Sequence, residues 1–112
     1  MKLLNSNILN RCLGIIYADV PKNGVYSVKI TENADYFLIA SANAETVNVQ
    51  PTLKIFVNGT LVKINSGGFS GSTTTYKSIS LSKGDIVQFS FESVVANQLY
   101  NSYFVMRMKL NN

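Results

Sequence analysis

Histidine and tryptophan are absent from this chain, and there are only one cysteine and two prolines. Without histidine there can be no Ser-His-Asp or Cys-His constellation, and the commonest acid–base group at neutral pH is missing. The usual zinc sets fail as well, because one cysteine cannot supply the ligands that histidine would have shared. An intrachain disulfide is likewise excluded. Cys12 lies in an apolar stretch and reads as a small buried hydrophobe, so the fold must rest on its core, helped by oligomerisation.

Charge is scarce too. Charged residues make up 14% of the chain against 46% hydrophobic, with ten Lys+Arg and six Asp+Glu giving a net charge of +4. The basic residues are scattered from Lys2 to Lys109 without a run or stripe, which argues against nucleic-acid binding. Asn, Ser and Thr supply most of the polarity, and such a surface suits protein–protein contact because few charges need desolvating. No stretch approaches the ~18 consecutive apolar residues of a membrane-spanning helix. Near the N-terminus, Asn5, Ser6, Asn7, Asn10 and Arg11 interrupt the leucines too soon for a signal peptide.

The six carboxylates, Asp19, Glu32, Asp35, Glu45, Asp85 and Glu92, fall in turns or on polar strand positions, where a solvated side chain is the default. A glycosidase pair drawn from them has no further support. Glu32 and Asp35 share one turn, yet two carboxylates without a ligand-dense loop make a poor calcium site. No catalytic residue, metal ligand or cofactor is expected.

What is present is strand after short strand. In 112 residues there is room for one domain with one core. Residues 1–16 read as an N-terminal arm or a first strand, and residues 17–112 as the globular domain. Tyr26, Val28 and Ile30 alternate with Ser27, Lys29 and Thr31, the mark of a half-buried antiparallel strand. Val87, Phe89 and Phe91 alternate with Gln88, Ser90 and Glu92. On the last strand, about Tyr100 to Leu110, Phe104, Met106, Met108 and Leu110 form the more apolar set. Asn58-Gly59 between two β-prone runs is a strong hairpin signal, because both residues tolerate the positive φ of a type I′ turn. That turn also accounts for Asn58-Gly59-Thr60, which formally spells a glycosylation acceptor. Asn65 to Thr74 reads as a glycine-rich surface loop, without the Gly-Lys-Ser/Thr ending of a phosphate-cradling loop. Some eight short strands at this spacing predict an all-β jelly-roll sandwich of two antiparallel sheets.

One strand breaks the alternation. Tyr36-Phe37-Leu38-Ile39-Ala40-Ser41-Ala42 is apolar on both faces, so one face meets the core and the other needs a different partner. Parity does not say which set is which, since Phe37 and Ile39 are as apolar as Leu38.

An ordered set of segments carries a resemblance. Val20-Pro21-Lys22-Asn23-Gly24-Val25-Tyr26 comes first, then Tyr36-Phe37-Leu38-Ile39-Ala40, then Leu53-Lys54-Ile55-Phe56-Val57-Asn58-Gly59. Ile79-Ser80-Leu81-Ser82-Lys83-Gly84-Asp85-Ile86-Val87 and Ser102-Tyr103-Phe104-Val105 complete it. From Tyr17 to Lys109 the order resembles the jelly-roll domain shared by the globular head of complement's first component and the tumour necrosis factor family. It is similar above all to the versions found in bacteriophage fibre and virion surface proteins. The resemblance implies a homotrimer in which one sheet of each sandwich faces its neighbours. Tyr36, Leu38, Tyr103 and Val105 are then the expected interface residues, and Phe69 and Tyr76 the expected contacts with a ligand or partner. It further implies a virion structural protein, a capsid decoration or fibre head, with other virion proteins or a host-surface glycan as partners. The alternative is a bacterial surface or carbohydrate-binding module of the same fold. A single such fold hosts many roles.

Overall fold

The computed structural model describes residues 15–43, 51–66, 72–93 and 101–109. They form eight strands: β1 Ile15–Asp19, β2 Gly24–Lys29, β3 Ala34–Asn43, β4 Thr52–Val57, β5 Thr60–Ser66, β6 Ser72–Leu81, β7 Ile86–Glu92 and β8 Tyr103–Met108. The expected division after residue 16 thus falls inside β1, and residues 1–14 lie outside the described part.

The strands make two four-stranded sheets in the orders β1-β8-β3-β6 and β2-β7-β4-β5, with every pairing antiparallel. Only β4 and β5 follow one another within a sheet; every other consecutive pair crosses between sheets. This is the jelly roll that the strand pattern predicted. Crossing at nearly every step makes both sheets depend on one shared core.

That core follows from the alternation. Val87, Phe89 and Phe91 of β7 point inward and are fully buried, as are Phe104 and Met106 of β8. Phe89 and Phe104 stack across the two sheets with centroids 4.3 Å apart, and Tyr26 meets Phe91 edge-on at 5.9 Å. Such aromatic pairs contribute about 0.5–1.5 kcal/mol beyond their buried area.

The pairing of β3 with β8 settles what parity left open. Tyr36 lies opposite Met108 and Leu38 opposite Met106, so both share the inward face. Tyr36 is 1% exposed and Leu38 0%. Burial of Tyr36 is tolerable because its hydroxyl donates to the Glu32 carbonyl at 2.8 Å. The expectation that these two residues meet a neighbouring subunit is therefore corrected: they are core. Phe37 and Ile39 hold the outward positions on this strand instead.

A second correction concerns β6. It begins at Ser72 and pairs with β3 residue for residue from Ser72 opposite Asn43 to Leu81 opposite Ala34. Thr73 and Thr75 face inward and are buried, so part of the expected loop is strand. Lys77 shares that inward parity on an edge strand, a placement that discourages edge-to-edge pairing.

The chain leaves β1, β3, β5 and β7 at one end of the sandwich. It turns back from β2, β4 and β6 at the other, where it also enters β1 and leaves β8. At this second end two turns are tied together. Asn58 and Gly59 take φ of 51° and 84° as the hairpin requires. The Asn58 side chain donates to Asp85 Oδ1 at 3.0 Å and accepts from the Ile86 amide at 2.9 Å, while Asp85 Oδ2 accepts from the Ser82 amide at 2.8 Å. The Ser82 N–H bond, followed by that from Asn58, holds the Asp85 carboxyl below its ordinary pKa. A depressed folded-state value contributes stability that is present above the unfolded pKa and lost as pH falls through the folded one. Asp85→Asn should therefore cost stability at neutral pH, with the deficit against the parent shrinking as pH drops below the ordinary carboxylate value. Denaturant titrations of both proteins at several acidic pH values measure this; a deficit independent of pH would refute the ionic role.

Candidate functional site

The outward face of the β1-β8-β3-β6 sheet can be read row by row from the register. The middle row runs Tyr17–Val105–Ile39–Tyr76, one residue from each strand. All four side chains are apolar or aromatic, and at roughly 4.8 Å between strands the row spans about 15 Å. Tyr17 is 50% exposed and Tyr76 66%, while Val105 and Ile39 between them are half-buried by their neighbours.

The flanking rows differ from one another. Toward the end where β1 finishes lie Asp19, Tyr103, Ser41 and Thr74. Tyr103 stacks on Tyr17 with centroids 5.7 Å apart, and the Tyr17 hydroxyl donates to Asp19 Oδ1 at 2.8 Å. That bond, then desolvation, raises the Tyr17 pKa, so the phenol stays protonated and donating. Beyond this row, Asp19, Val20, Pro21, Asn101 and Ser102 line a groove of about 340 Å³. Toward the opposite end Arg107, Phe37 and Ser78 form the next row.

The outer face of the second sheet offers a contrast. Its comparable row is Val25–Ser90–Lys54–Ile64. The apolar residues sit on the two edge strands and the polar ones in the centre. Lys54 also pairs with Glu92 at 3.3 Å, an exposed ion pair of the kind worth about 0–1 kcal/mol. Burying this centre would mean desolvating a charge; burying the centre of the first sheet would not.

Of the expected contact residues, Tyr103, Val105 and Tyr76 share one face, Tyr36 and Leu38 lie beneath it in the core, and Phe69 falls outside the described residues. Tyr17, Phe37 and Ile39 complete the face. Sequence reasoning left Tyr17 unassigned, although Ile16 and Ala18 on either side of it are both buried. That local alternation was a usable signal.

Chemistry finds little to work with. Among the described residues no three His, Cys, Asp or Glu side chains gather to hold a metal ion. Asp35, paired with Glu32 in the calcium reading, accepts a hydrogen bond from Ser80, and Asp85 is committed to the turn. No helix among the described residues is long and apolar enough to cross a membrane.

No protein-family pattern matches the chain, and no curated protein matches it. Solved structures do. The crystal structure of rabbit GITRL superimposes with a TM-score of 0.58 at 13% identity, covering 84% of this chain and 77% of that one. GITRL from bushbaby gives 0.57 at 11% identity, covering 83% and 75%. A β-glucosidase from Paenibacillus barengoltzii gives 0.51 at 22% identity, with 82% of this chain matching 10% of that enzyme. At these identities the likeness concerns the fold alone, a jelly roll of two antiparallel sheets.

Proposed function

We propose that this chain is a non-catalytic binding module that assembles as a homotrimer through the outer face of the β1-β8-β3-β6 sheet. The observation that carries the reading is the Tyr17–Val105–Ile39–Tyr76 row, which is apolar or aromatic on all four strands of the sheet. A face of this kind is stabilised by burial against another protein surface, and the second sheet, polar at its centre, is the poorer candidate. Three-fold assembly is favoured by the resemblance of the ordered segments from Tyr17 to Lys109 to trimeric jelly rolls. The same resemblance supports a place on a bacteriophage particle, as a capsid decoration or fibre head, where a small domain acts by assembly and surface binding.

Light scattering coupled to size exclusion should give the mass of three chains at micromolar concentration. A clean monomer would reject the interface, and a stable dimer would reject the three-fold arrangement.

A second reading has its own observation. Tyr17 stacked on Tyr103, the Asp19 carboxylate beside them and the groove bounded by Asn101 combine a ring face with hydrogen-bonding groups, the chemistry that recognises a neutral sugar. This is the carbohydrate-binding alternative, and it competes with the first, because a trimer that buries the tyrosine pair cannot offer it to a glycan. A protein that is monomeric and retained on a glycan array, with retention lost in Tyr17→Ala, would establish it.

A further inference from the structure

The turn dipeptide Asn58-Gly59 carries a reaction of its own. In an Asn-Gly pair the backbone nitrogen of the glycine can attack Cγ of the asparagine side chain, because glycine has no Cβ to crowd the approach. The Gly59 N–H gives its proton to hydroxide as the N–Cγ bond forms. The Cγ–Nδ2 bond then breaks and ammonia leaves, closing a succinimide ring. Water adds to either ring carbonyl and opens it, leaving aspartate or isoaspartate at position 58. Both residues are exposed, and no heavy atom stands within 4 Å of where a Cβ on Gly59 would lie. Solvent and base therefore reach the reacting atoms freely.

What holds the reaction back is the clamp. The Asn58 backbone N–H donates to the Ile86 carbonyl at 2.9 Å, and its side-chain Oδ1 accepts from the Ile86 N–H at 2.9 Å. Asn58 Nδ2 donates to Asp85 Oδ1 at 3.0 Å, a bond strengthened by the carboxylate charge. Both ends of the side-chain amide are thus tied to Asp85 and Ile86. Closing the ring requires the amide to turn its face to the Gly59 nitrogen and to pyramidalise at Cγ, and both motions break these bonds. The reaction must wait for a local opening, and its rate follows the population of the opened turn.

We propose that Asn58 is a deamidation site held in check by the Asp85–Ile86 clamp, and that its loss is a one-way change because the product cannot rebuild that clamp. An aspartate at 58 has no N–H to give Asp85 and sets a second carboxylate against it. Isoaspartate also adds a methylene to the backbone of a turn that holds only Asn58 and Gly59 between the paired Val57 and Thr60. The inference stands apart from both functional readings, since the hairpin belongs to the β2-β7-β4-β5 sheet.

The full chain is incubated at mildly alkaline pH, folded or unfolded in guanidinium chloride, and position 58 is followed by peptide mapping with mass spectrometry. Folded, Asn58 should react at least about tenfold more slowly than in the unfolded chain, as expected for opening two side-chain hydrogen bonds, one of them to a charge. Asp85→Ala removes the acceptor and should return most of that factor while circular dichroism shows the sandwich intact. Met106→Ala, a core truncation on the other sheet, weakens the whole fold without touching the turn and should leave the Asn58 rate near that of the parent. Equal rates in the folded and unfolded parent overturn the proposal, as does an Asp85→Ala rate no higher than the parent's. An equal rise in Met106→Ala assigns the protection to global folding and overturns it too. Should Asp85→Ala fail to fold, Asp85→Asn, which keeps the shape and drops the charge, should still raise the Asn58 rate, and no rise counts against the clamp in the same way. Asn58→Asp reproduces one product and should melt below the parent; an equal melting temperature overturns the one-way change.

Discussion

Val105→Lys is expected to break the assembly into monomers while leaving the sandwich folded. In a single chain the side chain at 105 points away from the core, so a lysine there stays solvated. Its cost should be confined to the strand preference and neighbour contacts of valine, at most about 1 kcal/mol. In the trimer the same substitution places three ammonium groups in the most apolar row of the interface, one step from Arg107. An uncompensated buried charge costs several kcal/mol, and here the cost recurs at three equivalent positions. Light scattering should fall from three chains to one at micromolar concentration, with the circular dichroism spectrum and melting temperature close to those of a parent diluted to monomer. A variant that stays trimeric at nanomolar concentration would show that this sheet is not the interface.

One residue earlier on the same strand the outcome should be the reverse. Phe104→Ala is expected to destabilise the domain strongly, whatever its oligomeric state. Phe104 is fully buried and stacks on Phe89 of the opposite sheet at 4.3 Å, with Tyr26 at 6.3 Å on its flank. Truncation removes the ring and leaves a cavity that two sheets joined by so many crossings cannot readily close. Phe→Ala changes in such settings cost about 3–5 kcal/mol, a large part of the roughly 5–15 kcal/mol that holds a domain folded. The midpoint of thermal unfolding should drop by something on the order of 10–20 °C. A loss below 1 kcal/mol in denaturant titration would mean that the two aromatic rings are not the bridge between the sheets.

The contrast between residues 104 and 105 was legible in the sequence because Phe104 and Met106 alternate with Tyr103, Val105 and Arg107. The charges at Arg107 and Lys109, at one end of the second set, give the period a phase. β7 was legible for the same reason, and the Asn58–Gly59 hairpin because its backbone demands residues that accept positive φ. Where alternation carries no phase, reading failed. Along β3 both faces are apolar, so nothing local separates Tyr36 and Leu38 from Phe37 and Ile39; the register with β8 decides, and register is a property of two strands. The start of β6 failed differently. Its inward residues, Thr73 and Thr75, are neither strongly apolar nor turn-forming, and the strand exists there because β3 offers ten residues of pairing partner. The face itself was only half visible, since a row such as Tyr17–Val105–Ile39–Tyr76 draws one residue from each of four strands distant in sequence.

The division of the sandwich into two ends sets how another protein can carry the domain. The chain enters β1 and leaves β8 at the end where the hairpin and the Ser82–Asp85 turn are clamped by Asn58 and Asp85. The connections 20–23, 44–51, 67–71 and 93–102 all join strands at the opposite end. A carrier fused before Ile15 or after Lys109 would hold the domain by its braced end and leave the other end of the strands facing outward. Exposed Pro21, Lys22 and Asn101 at that end could be varied together without touching the clamp or the aromatic bridge.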